Sequence, residues 1–182
     1  MPELIVDTWP PEPLMTERLV LRESREQDRD GLISLLTSDA ARRHLGGTLS
    51  RERAERIIAP PYGETPGSFV ILEAGSGDFV GITRIDRRDS DRPGHLSPNG
   101  KDELELSYVL LPGYWGKGYA QDSVRAVLMW VSTVVSDEKV VAVTQSANER
   151  SLTLLRRLGF TEFMRFEEFG AEQSMNVADL RR

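Results

Sequence analysis

The spacing of hydrophobic positions changes several times along this chain, and each change marks a different element. Leu19–Arg22 is a short, mostly apolar run suited to a strand, whereas Glu23–Asp39 carries Leu32, Leu35 and Leu36 at helical spacing. Ser24 followed by Gln27 has the pattern of a capping box, so a helix is expected over Glu23–Asp39. A second helix is expected over Ser50–Ala59, capped by its serine and stopped by Pro60 and Pro61. Between them Ala41–Gly47 contains Gly46 and Gly47, which break the helical pattern and make a loop able to line a pocket.

The next two runs, Ser68–Glu73 and Phe79–Asp86, read as strands of a hairpin around the turn-forming Ala74–Asp78. Arg87–Asp102 is polar and rich in Gly and Pro, a long excursion between strands. Glu103–Leu111 alternates and then turns apolar, as a central strand with a buried tip should, until Pro112 and Gly113 stop it. Tyr114–Ala120 forms a loop, and Gln121–Thr133 a helix with Val124, Val127, Leu128 and Val131 on one face. Glu138–Gln145 is a β-branched strand, and Asn148–Leu158 a helix closed by Gly159. Phe160–Phe169 and Glu172–Val177 make a final hairpin turning at Gly170. A strand, crossover helix and strand in succession make those two strands parallel. The chain is therefore expected to be one mixed α/β domain over residues 16–182, a twisted and mostly antiparallel sheet with one parallel pair and about four helices. Met1–Met15, with four prolines and no period, is expected to be an arm on the surface.

Composition narrows the function. There is no cysteine among the 182 residues, which excludes disulfides, thiolate metal sites and a cysteine nucleophile. The net charge of −6 argues against a nucleic-acid partner, since phosphate binding wants a basic face. No apolar run is long enough for a membrane helix, and the first 25 residues hold Glu3, Asp7, Glu12 and Glu17 in place of a basic start, so a cytoplasmic location is the default expectation. His44 and His95 are lone histidines without ligand spacing, and no metal is expected. Trp9, Tyr108 and Trp130 read as packing residues, and Arg42, Arg43 and His44 as a solvated face that could border an acceptor pocket.

The strongest local signal is the stretch from Leu110 to Ser123, LLPGYWGKGYAQDS. Gly116 and Gly118 leave main-chain N–H groups unobstructed where a strand passes into a helix, and an anion such as a pyrophosphate is the natural occupant. A P-loop would need Ser or Thr after its lysine, but Gly118 follows Lys117. A dinucleotide fingerprint would need a third glycine where Gln121 stands. Alone, the stretch is equally compatible with a tight turn that binds nothing.

Two further segments join it. The strand, Pro112 and Trp115–Ala120 (WGKGYA) resemble the acetyl-CoA motif of GNAT acetyltransferases, Trp115, Gly118 and Ala120 taking the places of its Arg/Gln, Gly and Gly/Ala. Asn148–Phe160 (NERSLTLLRRLGF) is similar to the second motif of that family, and with Thr16–Glu23 (TERLVLRE) the pattern looks most like its ribosomal-protein N-terminal acetyltransferase branch, the RimJ/RimL type. The resemblance implies acetyl transfer from acetyl-CoA to a primary amine, preferably a protein or peptide N-terminus, without a metal. The alternatives are a small amine (aminoglycoside, polyamine or amino acid) or a module that binds acyl-CoA without turning it over. A homodimer is compatible with the family.

The resemblance further implies that the two parallel strands splay apart, with main-chain groups of Val109, Leu110 and Leu111 and the side chain of Asn148 bonding the pantetheine arm. Trp115 offers no charge to the phosphates, so the amides of Gly116, Lys117, Gly118, Tyr119, Ala120 and Gln121, with the Lys117 ammonium, would hold them. Glu105, with Glu103 as its substitute, is the expected base. The late helix has Leu155 where many members place a tyrosine, and Ser151 would donate to, or orient, the departing thiolate.

Overall fold

The computed structural model describes residues 4–96, 103–137 and 139–180. Its elements in chain order are β1 (Leu14–Met15), β2 (Leu19–Arg22), α1 (Arg29–Thr37), α2 (Asp39–Arg42), α3 (Arg51–Ile57), β3 (Ser68–Glu73), β4 (Phe79–Arg87), β5 (Leu104–Leu110), α4 (Tyr119–Val134), β6 (Lys139–Gln145), α5 (Glu149–Arg157), β7 (Thr161–Glu168) and β8 (Ala171–Asp179). The eight strands form one sheet in the order β1-β2-β3-β4-β5-β6-β8-β7, in which β5 and β6 alone run parallel. Leu106 and Leu110 of β5 join Val124, Val127 and Val131 of α4 in the main core, so the crossover helix packs on the sheet it connects.

The expected mixed α/β sheet with one parallel pair is present, with five helices in place of about four. The first expected helix is shorter at both ends. Asp28 is buried and bonded twice by Arg22, at 2.7 and 3.0 Å, while its carboxylate also accepts the Arg25 N–H at 2.8 Å. That pull from β2 leaves Glu26–Asp28 as a single 3-10 turn, and the Ser24 hydroxyl accepts the Gly63 N–H instead of capping the helix. At the other end Ser38 is extended and caps a new turn, α2, through Ala41 N–H, the competition a serine offers to its own helix. Ser50 caps α3 as expected.

The N-terminal stretch differs from a plain surface arm. Leu4 is 2% exposed within the core, Trp9 packs edge-on against Phe69 and Trp130 at 5.1 and 5.9 Å, and Leu14–Met15 pairs with β2. The proline-rich stretch showed no period because its apolar side chains are used singly. The ends of two expected segments, residues 97–102 of the excursion and Glu138, lie outside the described residues.

Candidate active site

At the end of β5 the chain makes one 3-10 turn, Pro112–Tyr114, and then two left-handed steps at Gly116 (φ 75°) and Gly118 (φ 82°) before α4 begins. A side chain at either position would be strained, which is why glycine stands there. Gly118 is the N-cap of α4, and Tyr119 and Ala120 belong to its first turn, two residues earlier than expected. The first intrahelical bond runs from Asp122 N–H to Gly118 O. Among the described residues none of the six N–H groups from Gly116 to Gln121 donates to the protein. A Cβ placed on Gly116 would meet nothing within 4 Å, so the space beside Gly116 is open, whereas at Gly118 it would meet the Arg18 guanidinium at 2.9 Å. Free amides at the positive end of a 16-residue helix have the geometry and the charge that a phosphate-bearing ligand requires.

Side chains hold this loop from below. Arg18, just before β2, donates to Lys117 O at 2.7 Å and twice to Asp122 Oδ2, at 2.9 and 2.6 Å. The Tyr119 hydroxyl donates to Glu73, and that bond holds the Glu73 carboxyl below its ordinary range. Lys117 Nζ lies 5.0 Å above the Tyr114 ring. Trp115 donates its indole N–H to Leu110 O at 2.8 Å and is 38% exposed. Over its outer face, 5.0 Å away, stands the guanidinium of Arg150, an exposed cation with no ion pair among the described residues. A cation from α5 thus stands beside Trp115, a contact that no local pattern announces.

Beside the loop the sheet opens. β5 and β6 meet in register at Glu105 and Val141, and their pairing ends there. Ser107–Leu110 is laddered to β4 on one side only. This is the splayed seam that an extended guest could enter as a strand. At the tip of β6, Asn148 caps α5 by accepting Ser151 N–H at 3.3 Å and donates to Thr144 Oγ1 at 3.1 Å, which leaves one amide hydrogen without a partner among the described residues. His44 from the loop after α2 lies 3.0 Å from Gln145 at the same tip. Across the seam the hydroxyls of Tyr108 and Ser151 are 2.8 Å apart. Tyr108 has no other hydroxyl partner among the described residues, and burial pushes it up to about 12. Either oxygen can donate in this contact, and the arrangement in which the phenol donates gives its half-buried proton an acceptor within the protein. Tyr108 does pack against the core as expected, but its hydroxyl belongs to the site.

The acids gather on the other sheet face. Glu105 is bonded by Arg88 at 2.9 Å and by Arg92 at 3.2 Å, and Arg88 is 0% exposed. Glu103 is held by His95 at 2.8 Å and by Leu96 N–H at 2.6 Å. Arg92 also pairs with Glu168 of β7 at 2.9 Å, so the start of the excursion is pinned to the sheet. Opposite Glu105 in the β4–β5 ladder is Asp86, paired with Arg84 at 2.9 Å. Burial, against the pull of Arg84, raises Asp86 to about 6. Sequence reasoning missed Asp86, Arg150 and Arg18, and read Tyr108 as core alone. The alternation that marked Glu105 on β5 would have marked Asp86 on β4 had the strand register been known. Among the described residues no three His, Asp or Glu side chains gather as a metal site, and no helix is long and apolar enough to cross a membrane.

Comparison with known proteins agrees with this geometry. Residues 18–161 match the family described as an acetyltransferase (GNAT) domain. An N-acetyltransferase of Bacillus subtilis, YoaA, is 25% identical over 150 residues, covering 81% of each chain. The p20 N-acetyltransferase of Bacillus licheniformis is 24% identical over 155 residues, covering 82% of each. In fold, a GNAT-family acetyltransferase from Bacillus anthracis superposes with a TM-score of 0.77 at 16% identity, over 93% of this chain and 99% of that one. Spermidine N-acetyltransferase from Vibrio cholerae, solved with CoA and spermine, gives 0.69 at 16% identity over 91% and 97%.

Proposed function

From the premise that this chain belongs to the GNAT acetyltransferase family, which uses acetyl-CoA, we propose that it acetylates the α-amino group of a protein or peptide by direct attack in a ternary complex. One observation carries the reading: six uncommitted N–H groups, from Gly116 to Gln121, at the mouth of α4. They would hold the diphosphate, with Lys117 and Arg150 as its cations. The pantetheine arm would lie in the seam against Val109, Leu110 and Leu111, with the free amide hydrogen of Asn148 at its edge. Acetyl-CoA supplies the thioester.

The acids decide which amine suits the site. An acceptor amine must lose its proton before it attacks, and an α-amine, with a pKa of about 7.7–8.0, does so far more readily than a lysine or polyamine at about 10.4. Glu105 is engaged by two arginines. Asp86, raised to about 6 beside it, is the member of the pair whose affinity for a proton suits a base near neutral pH, receiving it through water. A polycation such as a polyamine or aminoglycoside wants carboxylates without partners, whereas Asp86, Glu105 and Glu168 are matched here by Arg84, Arg88 and Arg92. This favours the RimJ/RimL-like assignment drawn from the three motifs over a polyamine acetyltransferase. The test is a mass-spectrometric screen with acetyl-CoA against peptides with free N-termini, their N-terminally blocked lysine counterparts, spermidine and an aminoglycoside. Mass gain on the free N-termini is the expected result; gain confined to the small amines refutes the acceptor, and none anywhere refutes turnover.

A further inference from the structure

Leu155 occupies the place on the late helix where many family members carry a tyrosine, but β5 brings a tyrosine to the same seam from the opposite side. Tyr108 and Ser151 sit on different elements, 43 residues apart, and their 2.8 Å contact spans the two strands that part. Either hydroxyl can donate across this contact; when the phenol does, the serine's single proton is turned away from Tyr108 and left for another acceptor. Resting on the acetyl transfer proposed above, we infer that Tyr108 is a positioning residue: by donating to Ser151 Oγ it aims the Ser151 hydroxyl at the thioester sulfur as the carbon–sulfur bond breaks.

The step balances without a proton leaving either hydroxyl. The amine nitrogen forms a bond to the carbonyl carbon, the carbon–sulfur electron pair leaves on sulfur, and the amine proton goes toward Asp86 and Glu105. Ser151 donates a hydrogen bond to the departing thiolate, which takes its proton from water on release. Full transfer from Tyr108 runs uphill in acidity, since burial pushes the phenol up to about 12 while a thiol titrates near about 8.5. The same elevation keeps Tyr108 a donor throughout the working pH range. A chain of two hydroxyls polarised in one direction is a better donor than a lone serine.

The test compares Tyr108→Phe, Ser151→Ala and the double variant by turnover and by calorimetric CoA affinity as pH rises from 7 to 9.5. A donor aimed at sulfur makes wild-type affinity for the free thiol rise with pH, while S-methyl-CoA, which cannot ionise, shows no such rise. Tyr108→Phe is expected to lower kcat about fivefold, the worth of one neutral hydrogen bond, with KM for acetyl-CoA unchanged and the pH-dependent gain cut similarly. Ser151→Ala abolishes the gain, and the double variant is no slower than Ser151→Ala. Independent, multiplying effects overturn the inference, as does a Tyr108→Phe enzyme with wild-type kcat and wild-type gain. If Ser151→Ala also leaves turnover and gain untouched, the serine's role in the transfer fails with it. If calorimetry finds no CoA binding in the wild type, the underlying functional reading fails. Should Tyr108→Phe fold poorly, 3-fluorotyrosine at 108, a stronger donor of nearly equal size, must increase the gain, and a decrease or no change refutes the geometry.

Discussion

A single methyl group at Gly81 tests whether the tip of β5 is as tightly placed as the site requires. Gly81 faces Leu110 in the β4–β5 ladder, and a Cβ there would stand 2.2 Å from Val109 O and 2.7 Å from Leu110 Cα. Ordinary contact begins at 3.4 Å, so main-chain atoms must move by about 1 Å, and no rotamer change can relieve them. Either the strands spread at the tip or the Val109 carbonyl tilts toward the seam. Overpacking of this kind costs about 1–3 kcal/mol, a drop of roughly 3–10 °C in a chain of this length. Because Val109–Leu111 is the stretch proposed to ladder with pantetheine, CoA affinity should fall by about tenfold as well. Gly75→Ala, in the turn between β3 and β4 with nothing within 4 Å, is the control and should leave both unchanged. Differential scanning calorimetry and CoA titration of the two variants decide it. If Gly81→Ala melts within about 1 °C of the control and binds CoA equally well, the tight tip is not what shapes the site.

Arg150→Ala should weaken CoA by about five- to twentyfold at low salt and leave pantetheine binding unchanged; equal effects on both ligands would show that Arg150 acts through packing on Trp115. Asp86→Asn should lower kcat and remove the acidic limb near pH 6 from the rate profile, and an unmoved limb assigns the base elsewhere. The same variant has a signed effect on stability. The folded carboxyl titrates at about 6 against 3.8 unfolded, so its contribution is fully present below about pH 4 and is lost as pH rises through 6. Asp86→Asn should therefore exceed the wild type at pH 8 by up to about 3 kcal/mol in urea melts, and the difference should close below pH 4. Arg18→Ala should scarcely move the melting temperature, as befits an exposed ion pair, yet weaken CoA several-fold by freeing the Lys117 carbonyl and the head of α4. A variant with wild-type affinity would show that the loop holds its shape unaided.

How much could be read beforehand followed from the range of the forces involved. β3, β5 and α4 were found within two residues of their observed limits because alternation, helical period and the Pro112–Gly113 stop are local. The start of α1 was misplaced because a buried ion pair from β2, invisible to any window, drew Asp28 inward. Gly116 and Gly118 announced their left-handed turns through the lack of side chains alone. The cations that would serve the site did not announce themselves, since Arg18 and Arg150 come from 99 residues before Lys117 and 35 residues after Trp115. Glu105 was marked by strand period, but its arginines arrive from a Gly- and Pro-rich excursion without period. The hydroxyl pair at the seam needed both partners placed before either had meaning.

The unzipped stretch between β5 and β6 is a sheet edge that the protein carries inside itself. A molecule that fills it finishes the ladder, so occupancy and folding are thermodynamically linked, and each tenfold excess of ligand over its dissociation constant adds about 1.4 kcal/mol of resistance to unfolding. If the seam takes acetyl-CoA as proposed, a protein saturated with it should therefore unfold at a higher temperature than the free one.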